Sequence, residues 1–272
     1  MSYRISYFDN VKFILILLVI FGHVLPLNYY YPVERGIYNF IFLFHMPLFI
    51  FISGYFTKID NRDKLIKSII RLIETLLCFQ LIHLFLGYSL EHRISLNFLY
   101  VPEYTLWYLL CIIYWRFVLY IVKPSMHSYK SLWIVFGLSI LAGFIPLSVE
   151  MSFQRAFFFF PFFITGYYVK EKNVFGKLHK LPYNICLIIF FFLFLLSIVS
   201  AVISVPSFIY DKHLFYGVRP YYAFKYPLWL TLGLRVLYMF LAFFLSILFL
   251  RLVPQKKLLV TQYGKDTLFF YV

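Results

Sequence analysis

Acidic residues are scarce in this chain: 11 Asp and Glu stand against 25 Lys and Arg, and the four types together make up only 13% of 272 residues. A water-facing globule carries about a quarter charged residues, so a soluble fold of this length is excluded. Cysteine is nearly absent. Cys78, Cys111 and Cys186 lie singly in apolar runs with no CxxC spacing, which offers neither a disulfide framework nor a metal site, and they read as small buried hydrophobes. Alternation is lacking as well. The runs FILILLVIF and LIIFFFLFLLSIV do not show the two-residue period that barrel strands keep over about 10 residues. No small-residue cleavage site follows the N-terminal MSYRISYFDN, so the first apolar run reads as a retained span and not as a signal peptide.

What is present is apolar side chain, 63% of the residues, with 24% aromatic. The expected class is an all-α, polytopic transmembrane helix bundle, because crossing the hydrocarbon takes about 20 apolar residues and a helix satisfies its own backbone. Spans are expected at 11–30, 37–56, 66–88, 104–122, 131–148, 155–169, 184–205 and 227–250, with a ninth beginning near Thr267. That makes about 8 to 9 in a single membrane domain covering 1–272. Pro161 interrupts the short sixth run and suggests a kinked or partly re-entrant segment.

The formal charge of +14 would suggest nucleic acid in a soluble protein, but no basic domain exists here to hold a duplex, so no nucleic-acid partner is expected. Its distribution speaks to topology. With the N-terminus cytoplasmic, inner segments hold 17 of the 25 basic residues and outer ones 6, with Arg116 and Arg235 inside spans. The positive-inside rule therefore places the N-terminus in the cytoplasm. The outer connection 206–226 carries aromatics with Asp211, His213 and Arg219. They could stack on sugar rings or anchor the chain at the headgroups.

Chemistry gathers in the first two spans. His23 lies in the first, and an ionisable group in a bilayer usually faces a bundle interior or cavity. Lys12 and His23 are eleven residues apart, which puts them within about 20° on one helix face and about 16 Å apart along it. Asp9 falls within about 40° of the same stripe. One face thus carries an anion-binding or orienting group at one end and an imidazole deeper in. His23 reads as a general base for a hydroxyl acceptor, or as a histidine bonded to a neighbouring carbonyl. His45 in the second span reads as pairing with the first helix or helping to hold the acceptor, or as a structural, hydrogen-bonded histidine, while Ser53 and Gly54 read as close-packing residues. Lys67 and Arg71, spaced i,i+4 in a basic cluster, suit lipid headgroups or a polyphosphate such as coenzyme A. Arg155 heads the sixth span and needs a partner across the bundle. Trp107 reads as packing or interface.

Four pieces in order, YFDNVKFILILLVIFGH (7–23), FLFHMPLFIFISGYF (42–56), TLWYLLCIIYWR (105–116) and RAFFFFPFFITGYY (155–168), resemble the acyltransferase 3 superfamily of polytopic membrane acyltransferases, in its fucose 4-O-acetylase-like branch. The family carries a basic residue and a histidine with ten residues between them in its first span, as Lys12 and His23 have. The resemblance implies an O-acyltransferase that moves an acetyl group from acetyl-CoA to a hydroxyl of a sugar or surface polysaccharide precursor. Acetyl-CoA would be a donor substrate and not a resident cofactor, and no metal is implied. It makes His23, His45 and Arg155 catalytic, and Lys12, Lys67 and Arg71 donor-binding. Implied partners are a glycan acceptor, membrane lipids and polysaccharide-synthesis machinery. The family pattern continues beyond TQYGKDTLFFYV into further spans, so the chain is expected to be shortened at that end. The rival reading is a transporter or flippase of a lipid-linked sugar or small solute, which internal symmetry would favour; none is visible. A structural subunit of a polysaccharide assembly complex is a third.

Overall fold

In the computed structural model, residues 2–25, 31–91, 100–102, 105–122, 129–146, 150–203 and 212–264 are described. The elements are α1 (Ser2–Val24), α2 (Pro32–Phe56), α3 (Arg62–Glu91), α4 (Trp107–Val122), α5 (Tyr129–Leu141), α6 (Phe153–Glu171), α7 (Tyr183–Val202), α8 (Lys212–Tyr216) and α9 (Leu228–Leu252), with short 3-10 turns between them. No strand occurs among the described residues. Five stretches are long and apolar enough to cross a membrane: Ser6–Val24, Pro32–Phe56, Arg62–Ser89, Tyr183–Val202 and Leu228–Leu252. Helices also occupy the fourth, fifth and sixth expected runs, but α4 and α5 have only 16 and 13 residues. The ninth expected span lies outside the described residues.

The sixth run differs from its expectation: α6 continues without a break through Pro161, and α2 through Pro47. Proline removes one N–H and crowds the carbonyl four residues back. In apolar helices that loss is tolerated where neighbours and hydroxyls restore hydrogen bonds. Thr165 donates from Oγ1 to the Pro161 carbonyl at 2.7 Å, just past the ring.

The chain divides into two compact units, one of residues 1–50, 169–215 and 233–271, the other of 51–168, 216–232 and 272. In the first, Phe40 meets Phe190 and Phe194 of α7 edge to face at 5.1 and 5.2 Å, and Phe44 meets Phe249 of α9 at 5.3 Å. Arg35 donates to the Ala201 carbonyl at 2.7 Å, and Ser197 to that of Gly36 at 2.9 Å. At the opposite end, the 3-10 turn Phe175–Lys180 sets His179 edge-on to Tyr7 at 5.5 Å. Gln255 Nε2 donates to His179 Nδ1 at 2.5 Å, which requires that nitrogen to be unprotonated.

In the second unit, α2 and α6 cross backbone on backbone. A Cβ on Gly54 would lie 1.9 Å from the Phe163 carbonyl oxygen, and one on Gly166 1.9 Å from that of Phe51. Only glycine permits this approach, which is how apolar helices gain contact when lipid is as apolar as they are. Trp115 reinforces α4 against α6 by donating from Nε1 to the Ala156 carbonyl at 2.8 Å.

Two outcomes are expected. Gly54→Ala should cost about 1–3 kcal/mol by overpacking and lower the melting temperature in detergent. Gly137→Ala, whose added Cβ meets nothing within 4 Å, should not. Burial, and then the nearby Arg251 charge, hold the His179 pKa below its usual 6.5. The unfolded chain therefore binds the proton more readily, so stability is highest above pH 6.5 and falls as the pH drops through it. Thermal unfolding at pH 7.5 and about 5.5 should show this loss, and His179→Phe should flatten it.

Candidate active site

The first unit brings the two intramembrane histidines to one aromatic ring. On α2, Tyr38, Phe42 and His45 recur at i, i+4 and i+7 and so share a face. Tyr38 stacks on Phe42 with centroids 4.0 Å apart, and His45 meets Phe42 edge to face at 4.7 Å. His23, in the last turn of α1, approaches the same Phe42 ring edge-on at 6.1 Å. The histidines differ in setting: His45 is 1% exposed, whereas His23 is exposed.

Hydrogen bonding sets the state of the inner ring. His45 Nδ1 lies 2.7 Å from the Ile41 carbonyl oxygen one turn earlier. A carbonyl only accepts, so Nδ1 carries the proton and Nε2 holds the lone pair. The hydrogen-bonded reading from the sequence holds for His45, and the bond orients its ring. On the outer histidine, accessibility suits contact with a substrate.

Lys12 is already engaged. Its Nζ lies 2.8 Å from Asp9 Oδ1, one turn away, so its charge is partly neutralised while its side chain stays 22% exposed. Asp9 is 3% exposed, and its second oxygen is buried with no hydrogen-bond partner among the described residues. The cation and the acid of the stripe therefore act as one unit, which spacing alone did not establish.

The other three expected site residues belong to the second unit. Arg155 begins α6 and lies over the Trp107 ring, 4.8 Å from its centroid. Trp107 is itself stacked on Phe159 at 5.4 Å. The tryptophan is thus a packing residue that also seats the guanidinium by a cation–π contact. Ser53 hydrogen-bonds the Tyr108 hydroxyl, so it contributes a polar tie as well as close packing. Lys67 and Arg71 are exposed on α3. Between them Ser68 accepts a hydrogen bond from Arg116 Nη1, which brings an in-span arginine to the basic turn. The sequence placed Arg116 inside a span but did not give its partner, because pairing between helices leaves no local signal.

Of the outer connection, residues 204–211, with Asp211, lie outside the description. Phe215, Tyr221 and Phe224 are buried, and Tyr221 donates from its hydroxyl to the Ile140 carbonyl at 3.0 Å. These aromatics pack and do not offer their faces to a sugar. Tyr222 is exposed, as is Arg219. A cavity of about 420 Å³ in the first unit is lined by apolar side chains, among them Ile14, Leu18 and Phe21 of α1 with Phe40, Phe44 and Phe190. Those α1 residues lie about 120–180° from Lys12 and His23 around the helix, so they do not share that stripe.

Comparison with known proteins agrees with the ordered motifs. The acyltransferase 3 family model, described as an acyltransferase domain, matches residues 5–272. No curated protein and no solved structure matches the chain. With a match spanning both histidines, the Asp9–Lys12 pair and Arg155, the chain belongs to the acyltransferase 3 family and is a membrane acyltransferase.

Proposed function

We propose that the protein transfers an acetyl group from acetyl-CoA to a hydroxyl of a sugar or surface polysaccharide precursor, as in the fucose 4-O-acetylase-like branch that its motifs resemble. The observation that carries this reading is the pair of imidazoles on Phe42, one enclosed and one exposed. Of the two, His23 lies on the same helix stripe as the Lys12–Asp9 pair, in a chain of an acyltransferase family. An exposed imidazole can accept a proton from an acceptor, and an enclosed one can be held in a single orientation.

The chemistry is as follows. His23 takes the proton from the acceptor hydroxyl as its oxygen attacks the thioester carbonyl carbon. The tetrahedral intermediate collapses with loss of the coenzyme A thiolate, which takes up the proton from the His23 imidazolium. The products are the acetyl ester and free coenzyme A, and His23 is regenerated. His45, whose free Nε2 accepts but does not donate, orients the acceptor from its fixed ring. Arg155, seated on Trp107, is assigned acceptor orientation or charge stabilisation. Lys12, Lys67 and Arg71 are assigned the donor's phosphates on the strength of their charge. The donor would enter from the cytoplasm, where the inner excess of basic residues puts the N-terminus. In this reading the bundle has eight to nine spans, and the glycan acceptor comes from envelope polysaccharide synthesis.

Purified protein in nanodiscs, given radiolabelled acetyl-CoA and deoxyhexose-containing glycans, tests this. His23→Ala should lower the transfer rate by about 10²–10⁴-fold, the usual contribution of general acid–base catalysis. Lys12→Ala should act mainly on the KM for acetyl-CoA. Transfer that survives His23→Ala sinks the mechanism. A wild-type protein that binds no coenzyme A would sink the donor assignment and revive a transport role.

A further inference from the structure

After α9 the chain turns back along the start of α1, and one buried amide receives it. Asn10 is 0% exposed, and its side chain is spent on this segment. Its Nδ2 donates to the carbonyls of Pro254 and Lys256, each at 2.9 Å, and its Oδ1 accepts from Thr261 Oγ1 at 2.6 Å. Thr261, 2% exposed, accepts in turn from the Leu258 N–H at 2.7 Å. One turn before Asn10, the Tyr7 hydroxyl donates to the Leu250 carbonyl. Gly264 closes the segment against α1, since a Cβ there would lie 1.9 Å from the Asp9 carbonyl oxygen. Tyr263 meets the Phe13 ring at 6.2 Å. Removing the amide would strand two carbonyls and a hydroxyl, and a buried polar group left unpaired costs more than its bond contributes.

The grip falls on a particular side of the helix. Asn10 lies about 160° from Lys12 and Tyr7 about 140° from it, whereas His23 lies within about 20°. Apolar residues occur all around α1, so burial by itself chooses no strong rotational preference. Specific polar bonds must choose it. We propose that Tyr7, Asn10 and Thr261 form a latch that sets the rotation of α1 about its axis, and with it the direction in which Lys12 and His23 face. Asn10 and Thr261 are then positioning residues for acyl transfer, an assignment that rests on the donor and base roles given to Lys12 and His23. A turn of about 20° carries an imidazole about 2 Å sideways, and misplacement by about 1 Å can cost on the order of 10²-fold in rate.

Three variants and three readouts, two of them free of substrate, test the latch. Asn10→Leu removes its amide, Thr261→Val removes the hydroxyl and keeps the shape, and Thr261→Ser restores the hydroxyl. Without any substrate, hydrogen exchange in peptide 255–264 should quicken by about tenfold or more in Asn10→Leu and Thr261→Val, and stay unchanged in Thr261→Ser. In a background lacking Cys78, Cys111 and Cys186, alkylation of Lys12→Cys should change by about threefold or more when either latch-breaking variant is added. With acetyl-CoA and glycan, Thr261→Val should lower kcat/KM by about fivefold or more, and Thr261→Ser should stay within about twofold. Unprotected exchange in the wild type overturns the proposal. So does alkylation at position 12 that ignores an opened latch, or transfer that continues at full rate with the latch open. Should Asn10→Leu fail to fold, Thr261→Val carries each comparison. A wild type that transfers nothing from acetyl-CoA defeats the donor reading, and exchange and alkylation then decide the latch by themselves.

Discussion

A polar side chain set among apolar helices has few acceptors within reach other than backbone carbonyls, and leaving it unpaired costs several kcal/mol. Much of the order in this protein follows from that scarcity. His45 takes the Ile41 carbonyl and so presents a defined tautomer. Trp115 takes the Ala156 carbonyl and ties α4 to α6. Asn10 takes two carbonyls at once and brings the segment after α9 onto α1. In each case the bond that satisfies a polar group also aims it or its neighbours.

The same economy explains how chemistry and stability share one helix. The residues of α1 that hold it in place, Tyr7 and Asn10, occupy the side away from Lys12 and His23. Gripping bonds therefore do not compete with the groups that would meet a substrate. Asp9 is the exception: it pairs with Lys12 through one oxygen and leaves the other without a hydrogen-bond partner among the described residues. Glycine does the equivalent work in the second unit, where Gly54 and Gly166 let α2 and α6 meet backbone to backbone. Trp107 there supports Arg155 through the face of its ring.

Much of this was legible in one dimension. Apolar runs near the length of a bilayer crossing marked where helices form, because hydropathy is a local sum. Helical phase placed Lys12, His23 and Asp9 on one stripe, because a regular helix turns spacing into direction. The order of the four motifs matched the family found for the chain. Where local rules compete with packing they were less reliable: Pro161 read as an interruption, yet α6 runs through it. The aromatics of the outer connection read as sugar platforms or anchors, but Phe215, Tyr221 and Phe224 are buried.

Sequence alone determined that the chain is helical and membrane-like, which helices bear His23 and His45, and which residues share the face of His23. Each depends on composition or on spacing within a single helix. Only the tertiary structure decided that His23 and His45 meet at Phe42, that Ser68 binds Arg116, and that Thr261 closes on Asn10 from 251 positions away. Such pairings join residues on different segments. No periodicity records them, because they are set by which surfaces pack once the helices exist.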